Sequence, residues 1–257
     1  MKAFITITLL YFSFQNAFAQ NTRLTDQNAI GWYNYFGTFK LANKFGIHTE
    51  YQFRRAQTIK TWQQSLLRIG INYQLNSKVQ LRVGYAWIET FAYGEFPING
   101  MGKDFSEHRS FQMATITDTV FSIELSHRFM VEQRWVGRYS NSNLNREDEY
   151  PFLNRIRYLL RFQIPLKRIK IKDKSPYLAL YDEIFIGFGK NVNENIFDQN
   201  RVGILLGYRF SRKVRVEIGY LNQILQLGRE VNNSNVFQQN SGIILNGNFN
   251  LDFTKTP

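Results

Sequence analysis

The sequence has 257 residues, of which 44% are hydrophobic and 16% aromatic, and it contains no cysteine. This composition excludes a disulfide scaffold, a thiolate metal site and an intrinsically disordered chain, because so much apolar surface can be buried on folding. The formal net charge is +12, from 32 Lys and Arg against 20 Asp and Glu. An excess of this size also occurs in nucleic-acid-binding proteins, so the position of the charges decides its meaning.

The first nineteen residues have the features of a secretory signal peptide. Lys2 precedes an apolar stretch over residues 3–14, and Ala17-Phe18-Ala19 fits the small-x-small cleavage pattern. We therefore divide the chain into a signal peptide, residues 1–19, and one domain, residues 20–257. After residue 19 no apolar run reaches the ~18 residues that a membrane helix needs, so an exported chain of this kind is either soluble or a β-barrel.

Apolar and polar residues alternate along the mature chain, as in strands with lipid on one side and an aqueous lumen on the other. For example, Val214, Val216 and Ile218 alternate with Arg215 and Glu217. The segments are longer than the ~5 to 6 residues of an average soluble strand, which favours strands that cross a bilayer. Eleven segments are found, at 29–40, 44–56, 61–74, 78–92, 106–116, 120–136, 151–165, 176–188, 197–210, 213–227 and 237–253.

The pattern predicts an all-β fold, an antiparallel transmembrane β-barrel of 10–12 strands. Bacterial single-chain barrels have an even number of strands, so we expect twelve, with ten as the alternative. Residues 21–28 are one candidate for the missing strand; division of one segment, or an N-terminus threaded through the lumen, are the others. A soluble β-sandwich or a lipocalin-like barrel is the competing fold, although it would place the polar face outside.

The connections alternate between short polar turns and long loops rich in Asn and Gly, which is the arrangement of outer-membrane barrels with short periplasmic turns and long outer loops. Short turns are predicted at 42–44, 76–78, 117–119 and 211–213, and long loops at 93–106, 137–150, 189–197 and 227–237. The basic segment 165–176 is predicted to form an extended hairpin on the short-turn rim. Aromatic residues near segment ends fit interfacial girdles: Trp32, Tyr73, Trp87, Trp135, Tyr208 and Tyr220.

Several spaced blocks together resemble a family of bacterial outer-membrane barrels catalogued as domain of unknown function (DUF) 2490. The blocks are His127 to Trp135 (HRFMVEQRW), Asp182-Glu183, Phe197 to Arg201 (FDQNR), Leu206-Gly207-Tyr208 and Glu217 to Tyr220 (EIGY). The resemblance covers about residues 25–253. It implies a β-barrel in the outer membrane and supplies no activity and no catalytic residues.

Alternation places a set of charged side chains on the inward face, with eleven arginines against five glutamates. These residues are Glu50, Arg54, Arg68, Arg82, Glu124, Arg128, Glu132, Arg134, Arg155, Arg157, Arg161, Glu183, Arg201, Arg209, Arg215 and Glu217. Guanidinium groups pair well with carboxylates, so a structural network that fills the lumen is the first interpretation. A porin-like, narrow pore for a small anionic solute is the second, because rings of arginine select anions. A rim site for an anionic lipid headgroup is the third.

The three histidines are the candidates for an enzymatic alternative, an outer-membrane lipid hydrolase. Such an enzyme needs a nucleophile beside a histidine. His127 is the candidate on the outward face; Ser126 points inward, so a partner would come from the adjacent strand, such as Thr115 or Thr117. His48 is expected to be a lumen histidine beside Glu50. We therefore assign no catalytic residue and expect a barrel that is not an enzyme.

His108 and Asp104, near a long loop, are weak evidence for a metal site, so we assign no metal ligand and no cofactor. The expected partners are outer-membrane lipid and, during insertion, the barrel assembly machinery. This machinery recognises an aromatic signal in the last strand, and the C-terminal segment with Phe249, Leu251 and Phe253 resembles that signal. Nucleic acid is not expected, because the basic residues alternate with lipid-facing ones. The sequence thus predicts an outer-membrane protein and leaves its ligand open.

Overall fold

The computed structural model describes residues 23–167, 170–192 and 195–254, and the predicted signal peptide lies outside these ranges. Every regular element within them is a strand, so the predicted all-β fold is confirmed. The described part of the chain contains no helix with the length and apolar character that a membrane crossing demands. The strands are β1 (Arg23–Lys40), β2 (Phe45–Ala56), β3 (Thr61–Gln74), β4 (Val79–Thr90), β5 (Phe105–Val120), β6 (Ile123–Val136), β7 (Phe152–Pro165), β8 (Ser175–Phe188), β9 (Phe197–Arg209), β10 (Val214–Val231) and β11 (Ser234–Asp252).

The eleven strands form a closed barrel in which sequence neighbours pair antiparallel and β1 pairs with β11 in parallel. The expectation of an even strand number is therefore wrong for the described residues, and the barrel is not purely antiparallel. Residues 23–28 extend β1 and do not form a strand of their own. In an up-and-down meander with an odd number of strands, the first and last strands run in the same direction, so closure requires one parallel pair.

The β1–β11 pairing is continuous from Arg23 opposite Asn235 to Lys40 opposite Asp252. Inside the barrel, Asn34 donates a hydrogen bond of 2.9 Å to the side chain of Asn246 across this seam. A Cβ atom at Gly242 would overlap the carbonyl oxygen of Ile30, so the two strands approach too closely there for a side chain. The seam is thus a tight junction between the two ends of the described chain.

The connections divide the barrel into two ends. The turn end carries the connections 41–44, 75–78, 121–122, 166–174 and 210–213, and the loop end carries 57–60, 91–104, 137–151, 189–196 and 232–233. Two predicted connections are wrong. The turn between β5 and β6 lies at residues 121–122, where Phe121 has a φ of 55°, and not at 117–119. The predicted long loop 227–237 is a two-residue turn in which Asn232 and Asn233 have φ values of 50° and 57°, as a type I′ hairpin requires.

The basic segment between β7 and β8 is a loop that folds back against the barrel, and not the extended hairpin expected from its sequence. Ile171 is buried in an apolar cluster with Trp32 and Tyr177. Arg209 holds the loop by donating to the carbonyl oxygen of Ile171 (3.3 Å) and by an ion pair with Asp173 (3.5 Å). The loop therefore covers part of the turn end.

The outer surface of the barrel is apolar over most of its circumference. Exposed outward side chains include Leu67, Ile69, Ile71, Val83, Trp87, Val202, Ile204, Leu206, Ile218 and Tyr220. Exposed apolar areas of this size are typical of surfaces that contact lipid or another protein. The predicted girdle position of Trp32 is wrong, because its ring points into the lumen and is only 3% exposed.

We predict that cysteines introduced at Thr38 and Asn250, which face each other across the seam, form a disulfide or accept a short thiol crosslinker. The chain has no native cysteine, so the crosslink is read directly as a mobility change on a denaturing gel. The control pair Thr38→Cys with Asn246→Cys lies four residues out of register and is expected to stay uncrosslinked. A crosslink in the control pair alone would disprove the parallel register.

Candidate functional site: the arginine-rich lumen

A buried carboxylate on β6 is the centre of the charge network in the lumen. Glu132 is 1% exposed and contacts Arg155 at 2.6 Å and Arg157 at 2.8 Å, with Arg109 at 3.8 Å and Arg68 at 4.0 Å. One negative charge thus faces four guanidinium groups from three other strands, β3, β5 and β7. Because unpaired charge is costly in a buried environment, Glu132 is the residue on which the packing of these arginines depends.

Two further carboxylates extend this network toward the loop end. Glu107 accepts from Arg109 and from Arg134, each at 2.5 Å. Asp198 contacts Arg155 at 2.7 Å and Arg134 at 3.3 Å. We call the set Arg68, Glu107, Arg109, Glu132, Arg134, Arg155, Arg157, Glu183 and Asp198 the charged belt.

The sequence interpretation missed Glu107, Arg109 and Asp198. Glu107 and Arg109 share the inward face of β5 with Phe111 and Met113, whereas the outward positions carry Ser, His and Gln, so alternation is blurred there. The signal that could have placed them is the register with β4, which assigns Arg109 to the same face as Ala86. Asp198 was noted in a family block without a position in the lumen.

Aromatic rings add to the compensation of the arginine charges in the lumen. The Trp32 ring lies 3.9 Å from the guanidinium carbon of Arg54 and 4.8 Å from that of Arg201. Its indole N–H donates to Gln63 at 2.7 Å, which fixes the ring. Phe185 likewise faces Arg157 at 4.3 Å and Arg201 at 4.5 Å. Cation–π contacts in desolvated positions contribute on the order of 2 kcal/mol each, so these rings stabilise buried positive charge.

Three glutamates hold the part of the lumen nearer the turn end. Glu50 pairs with Arg68 at 2.8 Å and contacts the Nε2 atom of His48 at 3.2 Å. Glu183 pairs with Arg128 at 2.8 Å and Arg157 at 2.7 Å.

The third, Glu217, accepts from Arg161 (2.5 Å), from the Tyr177 hydroxyl (2.6 Å) and from Asn246 (3.1 Å). Each of the three carboxylates is saturated with donors.

The remaining predicted lumen residues lie outside this network. Arg82 and Arg215 line the lumen on the turn side of the belt and have no ion pair among the described residues. Arg209 reaches the loop between β7 and β8, as described above. Glu124 lies near the turn end of β6, where Gln163 donates to it at 3.5 Å.

The lumen contains two chambers with the belt between them. The turn-side chamber has a volume of about 280 Å³ and the loop-side chamber about 550 Å³, and their walls share only Arg201 among the described residues. The belt residues between the chambers are buried: Arg155 is 2% exposed and Arg157 is 5% exposed. Side chains as buried as these leave little open space between the two chambers.

The loop 91–104 folds over the loop-side chamber and contacts the opposite wall. The Tyr93 hydroxyl donates to Gln238 at 2.7 Å and accepts from Asn240 at 3.1 Å. Burial raises the pKa of Tyr93 to about 12, so its hydroxyl stays a neutral donor at physiological pH. Arg229 donates to the carbonyl oxygen of Pro97 at 2.7 Å, which ties the same loop to β10.

The histidines have partners that differ from a catalytic arrangement. His127 lies on the outward face with its Nδ1 atom 2.8 Å from the Tyr158 hydroxyl, while Thr117 donates to the carbonyl oxygen of Lys78. His108 also faces outward, where its ring contacts the Tyr85 hydroxyl. In the described ranges, no group of three or more His, Asp or Glu side chains is arranged to hold a metal ion.

Comparison with known proteins supplies the family. The sequence profile of a family described as "Protein of unknown function (DUF2490)" matches residues 29–235, about four fifths of the chain. The chain belongs to the DUF2490 family. An uncharacterized protein of Methylorubrum extorquens is 31% identical to this DUF2490 chain over 179 residues, which cover 68% of the chain and 69% of the relative. Neither description names an activity, so the lumen of the DUF2490 barrel carries the functional argument.

We predict that Glu132→Gln lowers the free energy of unfolding by about 3–5 kcal/mol, because it leaves buried guanidinium groups without their shared counter-charge. The measurement is urea unfolding of the detergent-solubilised barrel, followed by tryptophan fluorescence. Glu124→Gln is the matched control on the same strand, and it is expected to change stability by less than about 1 kcal/mol because its contacts are weak and near the rim. Equal effects of the two substitutions would contradict the central role of Glu132.

Proposed function

We propose that this chain is an outer-membrane β-barrel that is not an enzyme and whose lumen is closed by the charged belt. The observation that carries the proposal is the contrast between the two faces of the same strands. Apolar side chains cover the outside, and a saturated Arg/Glu network fills the middle of the inside.

The outer face supports a location in a lipid bilayer. Leu67, Ile69 and Ile71 on β3 are each more than half exposed, and the outward positions of β4, β9 and β10 continue the same surface. In a closed barrel the backbone of every strand is hydrogen-bonded to a neighbour on both edges. Such a surface can therefore face lipid without unpaired backbone groups. We place the turn end on the periplasmic side and the loop end outside, as in other barrels of this type. Outer-membrane lipid is then the main partner of the outer face.

The inner face supports a closed barrel more than an open pore. Each belt carboxylate contacts at least two arginines, and the belt residues are largely inaccessible to water. An anion-favouring pore would instead require part of these guanidinium groups to line a continuous aqueous path. A structural or interaction barrel with two dead-end chambers is therefore the function that the geometry supports best.

The histidine contacts support a role without catalysis. His48 contacts a buried glutamate, and His108 and His127 each contact a tyrosine hydroxyl on the outer face. A lipid hydrolase needs a serine or threonine hydroxyl oriented toward one of these rings. None of these three contacts supplies it.

We predict that the purified chain shows no steady conductance in planar bilayers when correctly folded, because the belt side chains fill the bore. The measurement is single-channel recording under a salt gradient, with heat-modifiable gel mobility as the check on folding. Replacing Arg155 and Arg157 together by Ala is expected to introduce current, whereas the rim substitution Arg209→Ala is not. Steady anion-selective current from the unmodified chain would contradict the closed barrel and support the pore interpretation.

We also predict that Asp182→Asn stabilises the barrel in lipid bilayers by on the order of 1 kcal/mol, because Asp182 is exposed on the outward face in the middle of β8. Asn200 donates to the Asp182 carboxylate at 2.5 Å, a contact that the amide oxygen of the substituted side chain retains. The measurement is the urea midpoint in vesicles. Asp252→Asn at the turn end is the control, with no expected gain. A loss of stability in Asp182→Asn would argue against lipid on this face.

A further inference from the structure

The turn-side chamber has more positive charge than the protein itself compensates. Seven arginines and three glutamates line it. Even when Glu132 of the belt is counted with the chamber, the guanidinium groups outnumber the carboxylates by three. Charges that are partly removed from water without a partner are costly, so an excess of this size favours anions inside the chamber.

The excess is located at two particular arginines. Arg68, Arg128, Arg157, Arg161 and Arg201 each lie within 4.0 Å of a glutamate oxygen. In the ranges that the structure describes, Arg82 and Arg215 have no such partner. Among the described residues Arg82 donates only to the side-chain oxygen of Asn72, at 2.5 Å. Glu50 attracts its charge from beyond ion-pair distance, and Arg68 and Arg128 repel it.

Unused hydrogen-bond donors accompany both arginines. Arg215 and Asn248 are directly opposite each other on β10 and β11 and both line the chamber. The Nε atom of Arg215 and the Nδ2 atom of Asn248 are buried and have no acceptor among the described residues. Beside Arg82, the Nδ2 atom of Asn72 is also buried without an acceptor among the described residues, although Asn72 itself does not line the chamber.

The chamber therefore offers guanidinium and amide donors from two walls. Arg82 on β4 and Arg215 on β10 are five strands apart in the ring of eleven, so they project from nearly opposite sides. The fork of a guanidinium group matches two oxygens of a phosphate group. A volume of about 280 Å³ exceeds the share of a single water, roughly 30 Å³, by a wide margin and has room for a phosphate group with ordered water.

The chamber is reached from the turn end. Its wall includes Thr38 and Asn250, each two residues from the end of its strand at Lys40 and Asp252. The belt closes the opposite side. A ligand of the chamber thus enters and leaves by the turn end without crossing the barrel.

We propose that the turn-side chamber is a binding site for a phosphate group, as inorganic phosphate or as a phosphate monoester, held between Arg82 and Arg215. The proposal depends on the lumen alone and stands whether or not the barrel conducts. Phosphate oxygens accept from both guanidinium groups and from the unused amide of Asn248. The bound dianion supplies negative charge that the protein side chains lack.

The test is isothermal titration calorimetry on the full chain, purified from membranes in detergent. Inorganic phosphate and glycerol phosphate are titrated separately. Buffers are free of sulfate and held at constant ionic strength with chloride. Saturable binding of one phosphate group per chain is expected. Arg82→Gln and Arg215→Gln are each expected to weaken the affinity by about tenfold or more, in line with the loss of a charge-assisted hydrogen bond.

Arg212→Gln is the matched control, because Arg212 is exposed in the turn beside Arg215 and does not line the chamber. It removes the same charge from the same rim and is expected to leave the affinity unchanged. Binding of glycerol phosphate alone would identify a monoester as the ligand. Absence of saturable binding for both compounds, or an equal loss in all three variants, would overturn the proposal.

A second readout separates binding from folding. Phosphate is expected to raise the melting temperature of the unmodified chain more than chloride does at equal ionic strength, since it binds the folded state only. Without phosphate, Arg215→Gln is expected to keep or raise the melting temperature, because it removes a charge that has no partner. A fall in the phosphate-free melting temperature together with unchanged phosphate affinity would assign Arg215 a structural role and refute the site.

Discussion

Arginine side chains fill the inside of this barrel, and each guanidinium group taken out of water must be compensated by carboxylates, amide oxygens or aromatic faces. Glu132 provides most of the compensation at mid-height, and the rings of Trp32 and Phe185 add to it at Arg54, Arg157 and Arg201. Side chains that satisfy one another across the bore also fill it, and the two chambers lie on either side of them. The two chambers are the places where the requirement is met less completely.

The outside of the barrel is governed by the opposite requirement. Strand alternation sends apolar side chains outward on the same strands that carry the arginines inward, so the two faces are determined together. A change of one residue in register would exchange them. The polar outward pair Asp182 and Asn200 is a local exception, in which the carboxylate is held by an amide of the neighbouring strand. The hydrogen bond between adjacent strands is what makes this exception tolerable.

Local patterns predicted most of the strands, because alternation with period two is a property of neighbouring residues. The parallel closure was not predictable in this way, since it depends on the direction of strands that lie at the two ends of the chain. Trp32 was misplaced because an aromatic residue near a segment end fits either a girdle or a lumen. Asn232 and Asn233 were taken as part of a loop because asparagine is common in both loops and tight turns. Glu107 and Arg109 were missed because Phe111 and Met113 share their face.

The parallel seam has a consequence for how the barrel forms. Residues on β1 and β11 that hydrogen-bond across it, such as Asn34 and Asn246, are 212 positions apart in sequence. All other neighbours in the ring are consecutive hairpins, which form early because little chain entropy is lost in closing them. The ten hairpins give a curved sheet with two open edges, and only the final meeting of these edges makes a cylinder. The seam therefore closes the longest stretch of chain in the barrel, and we expect it to form last.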